Sequence, residues 1–308
     1  MNIVFFGSPE FAVPSLNILN SSKYNIKAII TTPDKPSGRG MKINHPIIKK
    51  VGEKLKYPIY QPEDLKDNHF LSTLKQLNAD IFIVVAFRIL PTEIFSLPKF
   101  GAINLHASLL PKYRGSSPIH RAILNGDKQT GVTTFKITKN VDRGNIFLQK
   151  NYTINDNANM GKVYYDLSRI GANLLLETID GISNNTLKPR KQNNQMASNA
   201  FKMKKQEFII DWNESNINIH NKIRALSPYP GAYTILKNKR IKLFDSILPS
   251  KTISNLNPGE IYCEKEYIII GTGSDNIAVK TIQLEGRKRL FVKEYLKGNN
   301  IFNEEYFK

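Results

Sequence analysis

Asn104, His106 and Ser108 alternate with Ile103, Leu105 and Ala107 in the stretch INLHASLLP. A period of two places the three polar residues on one face of a predicted strand. Strands covered on both faces read as unbroken apolar runs, so a polar row calls for a reason. Asparagine offers an amide donor; histidine offers a base or, when protonated, a donor. Two residues along a strand separate them by about 7 Å. An acyl oxygen that gains negative charge under nucleophilic attack is served by such a pair. A carboxylate that fixes the imidazole tautomer and favours its charged form completes the set. Asp142, in NVDRGNI, follows a predicted strand and precedes a glycine, and is the candidate. Spacing alone does not pair it with His106, and a satisfied structural histidine accounts for the same alternation.

The elements that must position these residues alternate in type. NIVFFG, IKAIIT, PIYQP, ADIFIVVAF and GAINLHAS read as strands. FAVPSLNILNSS, HPIIKKVGEKLK and EDLKDNHFLSTLKQLN read as helical segments between them. Strands separated by helices predict parallel pairing in an open α/β sheet. In such sheets the site lies beyond the carboxyl ends of the strands, where INLHAS meets the SLLP turn. VTTFKI and NIFLQKNYTI form a later strand pair, and NMGKVYYDLSRIGANLLLETIDGI carries a helical stripe of Leu167, Ile170, Leu174 and Leu175. From Ser183 to Lys205 there are six cations (Lys188, Arg190, Lys191, Lys202, Lys204 and Lys205) and no acid, as in a surface linker. AYTIL, RIKLFDSIL, GEIYCE, YIIIGT and NIAVKTIQL follow, divided by Gly, Pro and Asn turns. That spacing favours a small barrel or sandwich.

The 308 residues are 41% hydrophobic, enough for one large domain or two ordinary ones. A single cysteine, Cys263, excludes an internal disulfide framework and a thiolate-rich metal site. The opening MNIVFFGSPEF lacks the basic start and cleavage site of a signal peptide, and no apolar run reaches membrane-spanning length. A cytoplasmic protein is the expectation. A monomer is expected too, since no exposed apolar stripe stands out. The net charge of +18 fits a polyanionic partner, although a lysine-rich composition inflates charge without any such partner.

The residues Asn104–His106, Ser108–Pro111, Arg114–Gly115, Gly131–Thr133 and Asp142–Gly144 follow the ordered pattern N-x-H, S-L-L-P, R-G, G-V-T, D-x-G. In order and spacing this resembles the core of the folate-dependent formyltransferases. The opening FFGSPEFAVPSL, the loop TTPDKPSGRGMK and the later IDW, KIRALSPYPGAYT and IQLEGRKRL extend the resemblance along nearly the whole chain. They bring it nearest to the branch that formylates methionyl-tRNA. The resemblance implies a Rossmann-like formyltransferase domain over 1–182, a basic linker over 183–205, and an OB-like tRNA-binding domain over 206–308. It implies Asn104, His106 and Asp142 as a catalytic trio, with Asn104 holding the formyl oxygen and Asp142 orienting His106. The donor would be 10-formyltetrahydrofolate, with no metal, and the acceptor initiator methionyl-tRNA. Ser108, Leu109, Leu110 and Pro111, with Val85, Ala86 and Phe87, would contact the folate. Lys35, Arg39 and Lys42 of the Pro/Gly-rich loop and Lys202, Lys204 and Lys205 of the linker would contact the tRNA.

The chain departs from relatives in two places. Phe87-Arg88 stands where many have Tyr-Gly, in a loop one residue shorter, and Asn145 stands where an acid is common. Both bear on the shape and charge of the folate slot. Formyl transfer to glycinamide ribonucleotide is the less favoured acceptor, because such enzymes lack a second domain. An amino sugar nucleotide is the closer rival. A dinucleotide oxidoreductase fails for want of G-x-G-x-x-G after the first strand. A non-catalytic RNA-binding barrel leaves the Asn104, His106 and Asp142 set unexplained.

Overall fold

Runs of Val, Ile and Phe set the first sheet. The computed structural model describes residues 1–37, 42–249, 256–298 and 306–307. In chain order the elements begin β1 (Asn2–Gly7), α1 (Val13–Asn20), β2 (Asn25–Ile30), β3 (Lys35–Ser37), β4 (Lys42–Asn44), α2 (Ile47–Lys54), β5 (Ile59–Tyr60) and α3 (Asn68–Gln76). They continue with β6 (Ile81–Val85), α4 (Thr92–Phe95), β7 (Ala102–His106), α5 (Pro118–Leu124), β8 (Gln129–Lys136), β9 (Ile146–Thr153) and α6 (Met160–Ser183). The last are α7 (Asn216–Ala225), β10 (Ala232–Leu236), β11 (Lys239–Ile247), β12 (Ile261–Cys263), β13 (Ile268–Gly271), β14 (Asn276–Leu284), β15 (Leu290–Phe291) and α8 (Val292–Leu296).

The chain divides into two compact units. The first comprises 1–116, 130–152 and 164–200; the second comprises 117–129, 153–163 and 201–308. A seven-stranded sheet in the order β5-β2-β1-β6-β7-β8-β9 organises the first. β5, β2, β1, β6 and β7 are parallel, as the alternation of strands and helices predicts. β8 joins β7 antiparallel, with His106 opposite Thr133. Every residue of β6 is buried, and β7 lies between β6 and β8. The polar row of β7 is therefore held by strands on both sides and ends at the carboxyl edge of the sheet.

The second unit carries an antiparallel half-barrel, in the order β10-β11-β14-β13-β12, with β15 on β14. Its core gathers Trp212, Ile241, Leu243, Ile268, Ile270, Ile277 and Ile282. Ile219 and Ile223 of α7 pack into the same core. The helix gains its stability from that burial, because its Asn-rich sequence has weak intrinsic propensity. No helix among the described residues is long and apolar enough to cross a membrane.

Residues 183–205 differ from a free-running linker. Arg190 pairs with Ile146 across an isolated bridge, and Arg114 with Asn199 across another. Gln192 and Ala200 are buried. The stretch up to Ala200 packs within the first unit, because its backbone groups find partners on the turn that follows SLLP. At the loop expected over 31–42, Lys35–Ser37 pairs antiparallel with Lys42–Asn44.

Candidate active site

β7 delivers Asn104 and His106 to the carboxyl edge of the sheet, beside the ends of β1 and β6. There Gly7 is in register with Val85, and Val85 with Leu105. Asn104 is half-buried. Among the described residues no hydrogen-bond partner holds its amide, so both its N–H groups and its oxygen are open to a ligand. His106 is buried, with its ring edge-on to Phe135. Its Nε2 lies 2.8 Å from the Tyr113 carbonyl. A carbonyl only accepts, so Nε2 carries a proton. Nδ1 faces the Asp142 carboxylate at 3.8 Å, within ion-pair range and beyond a hydrogen bond. Nδ1 is thus the nitrogen left for chemistry.

Asp142 is itself buried and adopts φ +53°. Its Oδ2 accepts from the Gly115 N–H at 2.8 Å. This gives the R-G piece of the pattern a physical role. Gly115 has φ +122°, and a Cβ there would meet the Ala200 carbonyl oxygen at 2.7 Å. Gly144 of D-x-G is equally confined: a Cβ would fall 1.6 Å from the Lys136 carbonyl oxygen. Only glycine lets the chain run close enough to bring Asp142 to His106.

The SLLP turn is held by β8. Thr133 Oγ1 donates to the Ser108 carbonyl at 2.6 Å and accepts from Leu110 N at 3.1 Å. Gln149 Nε2 donates to the Leu110 carbonyl at 2.8 Å and to Thr133 Oγ1 at 3.0 Å. Ser108 is fully buried and spends its hydroxyl on the Lys112 carbonyl, 2.7 Å away. Leu110 packs on Phe135 and Ile146. Leu109 and Pro111 keep some exposure. Val85 is likewise in the core, whereas Ala86 is exposed with φ +49° and Phe87 is half-buried against Phe6. Arg88, the departure from Tyr-Gly, donates to the Pro62 carbonyl at 2.6 Å and the Glu63 carbonyl at 2.8 Å. It lies 5.3 Å from the centre of the Phe87 ring, so it shapes this corner from behind. Burial pushes its guanidinium pKa down, partly opposed by Asp64. The Asn145 side chain is exposed, and its carbonyl accepts from Lys136 N.

The structure therefore brings Asn104, His106 and Asp142 to one place, with the SLLP turn continuing from the same strand. The cations expected on the tRNA side are separate from it in the chain. Lys35, Lys202, Lys204 and Lys205 are exposed. Lys42 lies on β4, and Arg39 lies outside the described residues. Sequence reasoning passes over Arg114 and Gln192 as individual residues, although R-G marks the first. Gln192 carries no local signal, since its partners lie about 50 residues away. Among the described residues no group of three or more His, Cys, Asp or Glu could hold a metal ion.

A largely parallel sheet is thus followed in the chain by an antiparallel half-barrel, and two formyl transferase models match this two-part organisation. The formyl transferase family model matches residues 1–179, and the model of the formyl transferase C-terminal domain matches 202–300. The chain belongs to this family. It is 44% identical to the methionyl-tRNA formyltransferase of Thermodesulfovibrio yellowstonii over 300 residues, covering 97% of this chain and 96% of that one. Among solved structures, the methionyl-tRNA formyltransferase of Clostridium thermocellum superposes with a TM-score of 0.57 at 20% identity, covering 82% of this chain and 95% of that chain. The sugar 3N-formyl transferase WlaRD, solved in the presence of dTDP and 5-N-formyl-THF, superposes with a TM-score of 0.68 at 24% identity, covering 94% and 99%. These two establish the shared fold.

Proposed function

We propose that this protein transfers the formyl group of 10-formyltetrahydrofolate to the α-amine of initiator methionyl-tRNA. The observation that carries this reading is the 44% identity to a methionyl-tRNA formyltransferase across both domains. The amine attacks the formyl carbon, and the carbonyl oxygen takes up negative charge. Asn104, whose amide has no protein partner among the described residues, donates to that oxygen. The proton leaving the amine passes to His106 Nδ1, while Nε2 stays anchored on the Tyr113 carbonyl. Asp142 balances the positive charge on the ring. The bond from the formyl carbon to N10 then breaks, N10 takes the proton, and the products are N-formylmethionyl-tRNA and tetrahydrofolate.

The folate lies against the partly exposed Leu109, Pro111 and Phe87 and the exposed Ala86. Buried Ser108, Leu110 and Val85 hold that surface in shape. Exposed Lys35, Lys202, Lys204 and Lys205 supply phosphate contacts, and Arg39 and Lys42 belong to the same set by their charge. The reading places the protein in the cytoplasm as a monomer.

The test is formyl transfer from labelled 10-formyltetrahydrofolate with three acceptors offered separately: initiator methionyl-tRNA, glycinamide ribonucleotide and an amino sugar nucleotide. Label in the methionyl-tRNA alone supports the proposal. Label in another acceptor, or in none, overturns it.

A further inference from the structure

Asp142 holds a left-handed backbone conformation, φ +53°, which aspartate adopts more readily than most non-glycine residues and which its neighbours hold here. Gln192 bonds the backbone of this turn at two carbonyls. Its amide nitrogen donates to the Asp142 carbonyl at 2.9 Å and to the Gly144 carbonyl at 2.7 Å. Its Oε1 accepts from Arg114 Nε at 3.1 Å and Nη2 at 2.7 Å. Two donors and two acceptor sites exhaust an amide, so Gln192 has a single orientation here. Arg114 Nη2 donates further to Asn194 Oδ1 at 2.8 Å. Gln192 and Arg114 are both buried. Burial pushes the Arg114 guanidinium pKa down, Arg143 adds to this and Asp142 opposes it.

Arg114 and Gly115 thus grip the Asp142 turn from two sides. The Arg114 side chain acts through Gln192 on the backbone of 142–144, and the Gly115 N–H acts on the carboxylate. The carboxylate stands 3.8 Å from His106 Nδ1, a gap at which a small movement of the turn makes or breaks the pair.

We propose that Gln192 and Arg114 are positioning residues, which set the reach of the Asp142 carboxylate toward His106 and so govern the chemical step rather than substrate affinity. This rests on the reading of Asn104, His106 and Asp142 as the reacting group. A misplacement of order 1 Å in such a group lowers rate by up to about a hundred-fold.

The experiment compares Gln192→Met, Asp142→Asn and the double variant in the full-length protein, with Arg114→Lys as a milder partner. kcat, both KM values, the pH profile of kcat and circular dichroism are measured. Gln192→Met keeps the length of the side chain without its hydrogen bonds. It is expected to lower kcat about ten- to hundred-fold, to leave both KM values within about two-fold, and to displace the pH profile of kcat. In the Asp142→Asn background the same change is expected to add almost nothing, because residues acting through one group are not additive. If Gln192→Met does not fold, Arg114→Lys carries the same comparison with a smaller loss. Unchanged kcat in a folded Gln192→Met or Arg114→Lys protein overturns the proposal, as does an equal further loss in the Asp142→Asn background. Full activity of Asp142→Asn alone overturns the trio reading beneath it.

Discussion

Replacing Thr133 by valine removes one hydroxyl and almost no volume, yet that hydroxyl organises the turn next to Asn104 and His106. It donates to the Ser108 carbonyl, accepts from Leu110 N and accepts from Gln149 Nε2. Thr133, Ser108 and Leu110 are all buried, so water does not replace the lost partners. A neutral hydrogen bond contributes about 1 kcal/mol net, and a buried group left unpaired costs about 1–3 kcal/mol. The Gln149 bond to the Leu110 carbonyl persists. The loss is therefore roughly 2–4 kcal/mol, concentrated in the Ser108–Pro111 turn. The turn follows directly on β7, which is proposed to carry the reacting residues. KM for 10-formyltetrahydrofolate is thus expected to rise about ten-fold or more, since 1.4 kcal/mol is a factor of ten. KM for methionyl-tRNA is expected to stay unchanged. Steady-state kinetics with each substrate varied in turn, beside thermal unfolding, reads both effects. Thr133→Ser keeps the hydroxyl and is expected to retain most of the wild-type value. A Thr133→Val protein with wild-type melting temperature and wild-type folate KM would refute the reasoning that this hydroxyl holds the turn.

Gly115→Ala sets a methyl group against the Ala200 carbonyl oxygen at φ +122°; it is expected to lower the melting temperature and to reduce kcat, read by calorimetry and kinetics together. Gln61 Nε2, Lys49 and His45 surround the Asp34 carboxylate, just before β3, and hold its pKa well below the usual carboxylate range. A depressed native pKa contributes stability above the unfolded value of about 3.9, lost as pH falls below it. The melting-temperature gap between wild type and Asp34→Asn is accordingly expected to be full at about pH 6 and to narrow as pH falls below about 4. Changing exposed Lys202, Lys204 and Lys205 together to alanine is expected to weaken tRNA binding and flatten its dependence on salt by up to about three units of slope, with KM for the folate unaffected; filter binding across a salt series measures it.

Much of the fold was legible because burial writes a period into sequence. β1, β6 and β7 and the long α6 follow their apolar patterns, and the polar row on β7 marks the candidate site. Four helices were not legible: α4 and α8, of four and five residues, and α5 and α7. α5 and α7 are short, too short to stand alone, and they gain their stability because Ile119, Ala122, Ile219 and Ile223 are buried in tertiary contacts. The parts of the site set by long-range hydrogen bonds were silent as well. The resemblance casts Ser108 as a folate contact, yet its hydroxyl turns back to the Lys112 carbonyl. Gln192 sits in a cation-rich stretch with little apolar patterning and is nonetheless buried, because its amide meets two carbonyls and a guanidinium brought from elsewhere in the chain.

The central claim is that formyl transfer proceeds through the Asn104–His106–Asp142 edge. The most direct test is the single-turnover rate of formyl transfer to initiator methionyl-tRNA by His106→Ala, with folded protein and both substrates saturating. The account predicts a fall of about a hundred-fold or more, the scale of general acid–base catalysis. A rate within a factor of two of wild type would contradict it.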